Sequence, residues 1–84
     1  MIFTIEKTSN IFGQDPKQLY KKFPLLKKFA VFGEDDNRIR IDTLRDLCKI
    51  IDYCKDRLGD EFSGILIYRC GMTNFKIEIY DMYR

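Results

Sequence analysis

Residues 43–59 read TLRDLCKIIDYCKDRLG. This stretch predicts a long helix, against which the strands on either side of it can pack. Thr43 and Asp46 match the Ser/Thr-x-x-Asp/Glu pattern that caps the N-terminus of a helix. Gly59 follows as a C-terminal cap, so the pattern predicts a helix over residues 43–58. Its apolar stripe keeps mainly to steps of three and four, with Ile51 in the middle, and consists of Leu44, Leu47, Cys48, Ile51, Cys54 and Leu58.

Strand patterns lie on both sides of this helix. Alternation of apolar and polar side chains predicts strands at residues 1–7, 38–42 and 75–80, each with one face in water. Residues 29–32 are also expected to form a strand. Residues 63–70 are apolar and rich in branched side chains, which is typical of a strand that is covered on both faces.

A second, shorter helix is predicted between the first two strands. Asp15 offers an N-cap and Pro16 suits the first helical turn, so we expect a helix from Pro16 to about Phe23. Pro24 ends this helix, because the residue before a proline is disfavoured in the helical region. Residues 25–28 fit either one more helical turn or the lead into the next strand.

The 84 residues suffice for one domain spanning 1–84. The element order is strand, helix, strand, strand, helix, strand, strand, and two helices can cover only one face of such a sheet. We therefore predict an α+β, two-layer sandwich of the ferredoxin-like βαββαβ type with an added C-terminal hairpin strand. The alternative is a β-meander packed on the one long helix, with residues 16–23 reduced to a turn.

The composition excludes several classes of function. The chain has no histidine, so it lacks the base of Ser-His-Asp and Cys-His enzymes and the histidine ligands of zinc sites. The single glycines match neither phosphate-binding loop pattern. We therefore predict a protein that is not an enzyme, with no catalytic residue, no cofactor and no metal.

The three cysteines and the absence of a signal-peptide pattern predict reduced thiols in the cytoplasm. Cys48 and Cys54 fall on the apolar stripe of the long helix and are expected to be buried. Cys70 lies at a strand end, where it is expected to react faster than the other two. The longest runs without a charge, residues 8–14 and 62–68, are seven residues each, so no membrane association by a spanning helix is predicted.

By elimination, the sequence favours a small protein that acts by protein–protein binding, as an inhibitor or an accessory subunit. By analogy, short bacterial or phage-encoded chains often have such roles. Alternation places one set of side chains on the sheet face away from the helices, where a protein partner or a second copy could bind. The candidate binding residues are Arg38, Arg40, Leu66, Tyr68, Lys76 and Tyr80, accompanied on that face by Thr4, Glu6 and Glu78.

The alternative is a nucleic-acid-binding module. Residues 1–34 carry an excess of lysine over acidic residues, with Tyr20 and Phe23 interleaved for stacking on bases. The net charge of +2 and the pI near 8.4 are low for such a module. The basic segment that would contact phosphates comprises Lys17, Lys21, Lys22, Lys27 and Lys28.

Overall fold

The computed structural model of this chain describes residues 1–8, 15–72 and 74–81. In this part of the chain, two α-helices and two short 3-10 helices accompany one four-stranded sheet. Along the chain the elements are β1 (Ile2–Thr8), α1 (Pro16–Lys22), a 3-10 helix (Pro24–Phe29), β2 (Arg38–Arg40), α2 (Leu44–Leu58), a 3-10 helix (Gly59–Glu61), β3 (Phe62–Cys70) and β4 (Asn74–Asp81).

The sheet is mixed and has the strand order β2-β1-β4-β3. Its centre is the parallel pair β1 and β4, in which Ile5 lies opposite Ile77. Strand β2 pairs antiparallel with β1, and β3 pairs antiparallel with β4. The protein is thus a small α+β domain, but the ferredoxin-like βαββαβ order is not confirmed. The β-meander alternative is also wrong, because the central pair is parallel and residues 16–22 form a helix.

The missing strand at residues 29–32 accounts for most of this difference. Pro24 begins a 3-10 helix that runs to Phe29 and buries Leu26 completely. Only Ala30 then forms a bridge to Ile39, and the Val31 N–H donates to the Arg38 carbonyl at 3.2 Å. Of the apolar side chains that suggested a strand, Phe29 and Ala30 pack against the core, whereas Phe32 is 57% exposed.

The core lies between the sheet and one layer formed by both α-helices and the first 3-10 helix. Leu19 and Tyr20 of α1 and Phe23 after it are buried, as is Leu26. The apolar side chains that alternate with the polar ones along the strands face the helices and are buried, except that Phe75 is half-buried; they are Phe3, Ile5, Ile39, Ile41, Phe75, Ile77 and Ile79. No helix in the described residues is long and apolar enough to cross a membrane.

Helix α2 is confirmed together with both of its caps. The Thr43 Oγ1 accepts a hydrogen bond from the Asp46 N–H at 3.1 Å. At the other end, Gly59 has a φ of 58°, a left-handed conformation that costs least for glycine. The segment predicted from sequence as residues 43–58 is therefore a helix over Leu44–Leu58.

The buried face of α2 differs from the predicted one. Ile50, Cys54 and Leu58 are buried, whereas Leu44 is 75% exposed and Cys48 is exposed. Two apolar series with steps of three and four overlap on this helix. The helix faces that they define are rotated from each other by less than the rotation per residue, which is about 100°. The sheet selects the series through Ile50, which leaves Ile51 only partly buried.

We predict that Ile50→Asp lowers the free energy of unfolding by about 3 kcal/mol or more, because it places an unpaired carboxylate in the core. Ile50 is 1% exposed. The matched control Leu44→Asp, on the exposed first turn, should stay within about 0.5 kcal/mol of the wild type. Urea denaturation of both variants measures the difference. Equal destabilisation would contradict this orientation of α2.

Cysteine reactivity gives a second test of the packing. Burial raises the pKa of the Cys54 thiol to about 12 and removes it from reagents, whereas Cys48 and Cys70 are exposed. The sequence-based expectation that Cys48 is protected is therefore wrong. We predict rapid iodoacetamide labelling of Cys48 and Cys70 in the folded protein, with Cys54 labelled only after unfolding. Peptide mass spectrometry over a time course would detect early labelling of Cys54, which would contradict the structure.

Candidate functional site

The open face is the side of the sheet that faces away from α1 and α2. Strand register brings its residues together: Thr4 lies opposite both Arg38 and Lys76, and Tyr68 lies opposite Lys76 on the other side. The side chains that alternate with the core residues define this face: Thr4, Glu6, Arg38, Arg40, Leu66, Tyr68, Lys76, Glu78 and Tyr80. All six candidate binding residues predicted from sequence therefore share one surface.

A carboxylate between two tyrosines occupies the β3–β4 part of the open face. The Tyr68 hydroxyl donates to Glu78 Oε1, and the Tyr80 hydroxyl donates to Oε2 of the same carboxylate. The hydrogen bond to Glu78 raises the pKa of Tyr68 to about 12 and the same kind of bond raises the pKa of Tyr80. The two donors in turn lower the pKa of Glu78. Both rings are thereby held in fixed positions on the sheet.

Arg38 is fixed at the opposite end of the open face. Its Nε and Nη2 donate to the carboxylate of Asp36 at 2.9 and 2.7 Å, a two-point contact that lowers the pKa of Asp36. The guanidinium carbon also lies 4.1 Å from the centre of the Phe32 ring, within the range of a cation–π contact. Arg38 is therefore a positioned cation with its charge partly compensated.

Arg40 differs from Arg38. Among the described residues no carboxylate lies within ion-pair distance of it, and its side chain is exposed. It lines a shallow groove of about 460 Å³ together with Lys28, Asp42 and Asp46, where β2 meets the start of α2. In the part of the chain that the structure describes, no acceptor is seen for its guanidinium N–H groups, which suit the two oxygens of an outside carboxylate.

The middle of the open face combines charge with apolar surface. Lys76 pairs with Glu6 across β1 and β4 at 3.6 Å, so these two charges largely balance each other. Leu66 on β3 is 50% exposed and stands opposite Glu78. Strand β3 was expected to be covered on both faces, and that expectation is wrong, because Leu66 on the open face and Ile67 on the opposite face are both exposed.

Two of the five lysines of the basic segment form ion pairs with nearby acidic residues. Lys17 lies 3.3 Å from Asp35, and Lys27 lies 3.2 Å from Glu34. The remaining members, Lys21, Lys22 and Lys28, belong to α1 and the 3-10 helix that follows it.

The aromatic residues expected to stack on bases are not accessible. Tyr20 is 1% exposed and Phe23 is fully buried, with the Tyr20 hydroxyl donating to the Asp36 carbonyl at 2.6 Å. Their interpretation as stacking residues is therefore wrong. Tyr20 lies on the apolar side of α1 and Phe23 directly follows this helix, and both rings face the core because α1 packs on the sheet.

Sequence reasoning missed the residues that support the open face. Phe32 was assigned to the strand predicted at residues 29–32 and Asp36 to no candidate site, yet they hold the Arg38 guanidinium from two sides. It also missed the ion pair between Lys7 and Asp81, which lie 2.5 Å apart at the end of the helix-covered face. A signal was present for this pair, since Lys7 continues the inward series of Phe3 and Ile5.

The described residues contain no group of three Asp, Glu or Cys side chains placed to hold a metal ion. No family model matches this chain, and comparisons with curated proteins and with solved structures gave no significant match.

We predict that Glu78→Gln lowers the pKa of Tyr68 from about 12 toward its ordinary value of 10.0. Glu78, with its lowered pKa, stabilises the fold above pH 4.5 and loses that effect as the pH falls through its folded pKa. Tyr68, with its raised pKa, stabilises the fold below pH 10 and loses that effect as the pH rises toward about 12. Carbon-13 NMR of labelled tyrosines measures the titration of Tyr68 and Tyr80 in the wild type and in Glu78→Gln. An unchanged Tyr68 titration in Glu78→Gln would contradict the cluster.

Proposed function

We propose that this protein is not an enzyme and acts by binding another protein through the open face, as an inhibitor or an accessory subunit. The observation that carries the proposal is the Tyr68–Glu78–Tyr80 cluster, which holds two aromatic rings in place next to the exposed Leu66. Fixed aromatic side chains lose little conformational entropy on binding, and tyrosine and arginine are enriched among the residues that dominate binding energies.

The partner's chemistry follows from the two ends of the open face. At the β2 end, Arg40 offers an exposed guanidinium that suits a carboxylate in a two-point contact. At the β3 end, Leu66 and the tyrosines suit an apolar side chain. We therefore infer a protein partner whose surface places an acidic residue beside an apolar or aromatic one.

The charge pattern makes the open face better suited to a protein than to nucleic acid. Arg38 is paired with Asp36 and Lys76 with Glu6, so the face is a mosaic of both signs instead of a continuous basic stripe. Nucleic-acid binding depends on several unpaired cations that contact successive phosphates. The odd cysteine number fits a reducing compartment, and we place the binding function in the cytoplasm.

The proposal predicts that the double variant Arg40→Glu, Tyr68→Ala loses its partner while remaining folded. Cross-linking in lysate of the source cells, followed by mass spectrometry, identifies proteins held by the wild type. The partner should be absent from the double variant, because the variant removes both the exposed Arg40 guanidinium and a fixed aromatic ring.

The matched control is Arg45→Glu, which makes the same charge change on the exposed surface of α2. This control should keep the partner, and circular dichroism should show all variants folded. Equal recovery of every protein by the wild type and the double variant would reject the open face as the binding surface. Binding of a labelled oligonucleotide at low salt that depends on Arg40 would favour a nucleic-acid partner instead and would also reject the proposal.

A further inference from the structure

The two edges of the sheet are protected to different degrees. On the β2 side, Ala30 bridges Ile39 and the Val31 N–H donates to the Arg38 carbonyl, so part of that edge is occupied. On the other side lies β3, a nine-residue strand. Its inner side pairs with β4 from Phe62 to Cys70, and within residues 1–8, 15–72 and 74–81 nothing pairs with its outer side.

Strand β3 lacks the features that usually keep a sheet edge from pairing. Residues 62–70 include no proline, no lysine and no acidic residue, and Arg69 is their one charge. The register is irregular only at the start, between Phe62 and Gly64. Two large apolar side chains near the middle are well exposed, Leu66 at 50% and Ile67 at 40%. A long, regular and apolar edge with free backbone donors and acceptors is a template for another strand.

We propose that β3 pairs antiparallel with β3 of a second copy about a two-fold axis that passes through Leu66. Such an axis stands perpendicular to the sheet, so each strand presents the same residues to the other. Ile65 then lies opposite Ile67 of the partner subunit, and Gly64 lies opposite Tyr68 of the partner subunit. The result is one continuous sheet running through both copies, with the two open faces on the same side.

The side chains of β3 complement one another in this register. The pairing of Ile65 with Ile67 places two β-branched residues across from each other and covers the exposed Ile67. Gly64 has no side chain, and the space where a Cβ would project is open. An aromatic ring opposite a glycine in a neighbouring strand covers the bare backbone, and Tyr80 of β4 already stands beside Gly64 on the inner side.

Charge at the strand ends also favours an antiparallel second copy. Asp60 and Glu61 immediately precede β3, and Arg69 lies next to its last residue. Antiparallel pairing brings the acidic end of one strand toward the Arg69 end of the other, at both ends of the interface. A parallel arrangement would instead place like charges side by side. This inference concerns the edge of the sheet and does not depend on the proposed function of the open face.

The first experiment tests the axis by cross-linking in a Cys48→Ser, Cys70→Ser background. Leu66→Cys places two thiols across the axis, with Cα atoms about 4.5–5.5 Å apart, which permits a disulfide between copies. The control Ile67→Cys places its thiols diagonally, roughly 8 Å apart, beyond disulfide reach. Under mild oxidation, Leu66→Cys should yield a covalent dimer and Ile67→Cys should not. Equal cross-linking of both variants, or none with Leu66→Cys, would overturn the proposed register.

The second experiment measures association without a cross-link. Sedimentation of the wild type should show a dimer that increases with concentration. Ile67→Lys should weaken it at least about tenfold, because a lysine would face an apolar residue near the axis. The control Leu44→Lys changes an exposed apolar residue on α2, Leu44 being 75% exposed against 40% for Ile67, and should dimerise as the wild type does. A wild type that stays monomeric at millimolar concentration, or an Ile67→Lys variant that dimerises normally while folded, would overturn the proposal.

Discussion

The structure depends on the parallel pairing of β1 with β4 at the centre of the sheet. Ile5 and Ile77 lie opposite each other in this pair and are essentially fully buried, as is Ile79 two residues further on. Parallel neighbours need a long crossover, and here the crossover contains α1, β2, α2 and β3. Every other element is positioned by this contact between the two ends of the described chain.

The same pairing makes the molecule asymmetric. Since both α-helices pack on one side, the core forms there and the alternate residues of all four strands remain in water. Placing β4 inside the sheet makes β3 an edge strand, although its composition resembles that of a covered strand. The proposed open-face site and the proposed dimer edge are thus two consequences of one strand order. Leu66 and Tyr68 belong to both surfaces, whereas Arg40 belongs only to the open face and Ile67 only to the dimer edge, so changes at these two positions separate the proposals.

The errors in sequence interpretation share a physical cause. Steps of three and four in α2 fit two overlapping faces, and only contact with the sheet selects Ile50 over Ile51. Residues 29–32 contain strand-forming side chains, but burial of the preceding Leu26 favours a 3-10 turn that leaves a single bridge at Ala30. In both cases the local conformational preference of the residues differs little between the two possible structures. Packing against distant parts of the chain therefore decides which of the two forms.

The sequence by itself determined the features that depend on neighbours within a few residues. These are the caps of α2 at Thr43 and Gly59, the start of α1 at Asp15, and the inward and outward alternation that placed the candidate binding residues on one face. Tertiary structure alone decided which strands are adjacent, which face of α2 is buried and what surrounds each exposed charge. Alternation depends only on the backbone period of two residues, whereas adjacency depends on which distant apolar surfaces bury each other most completely.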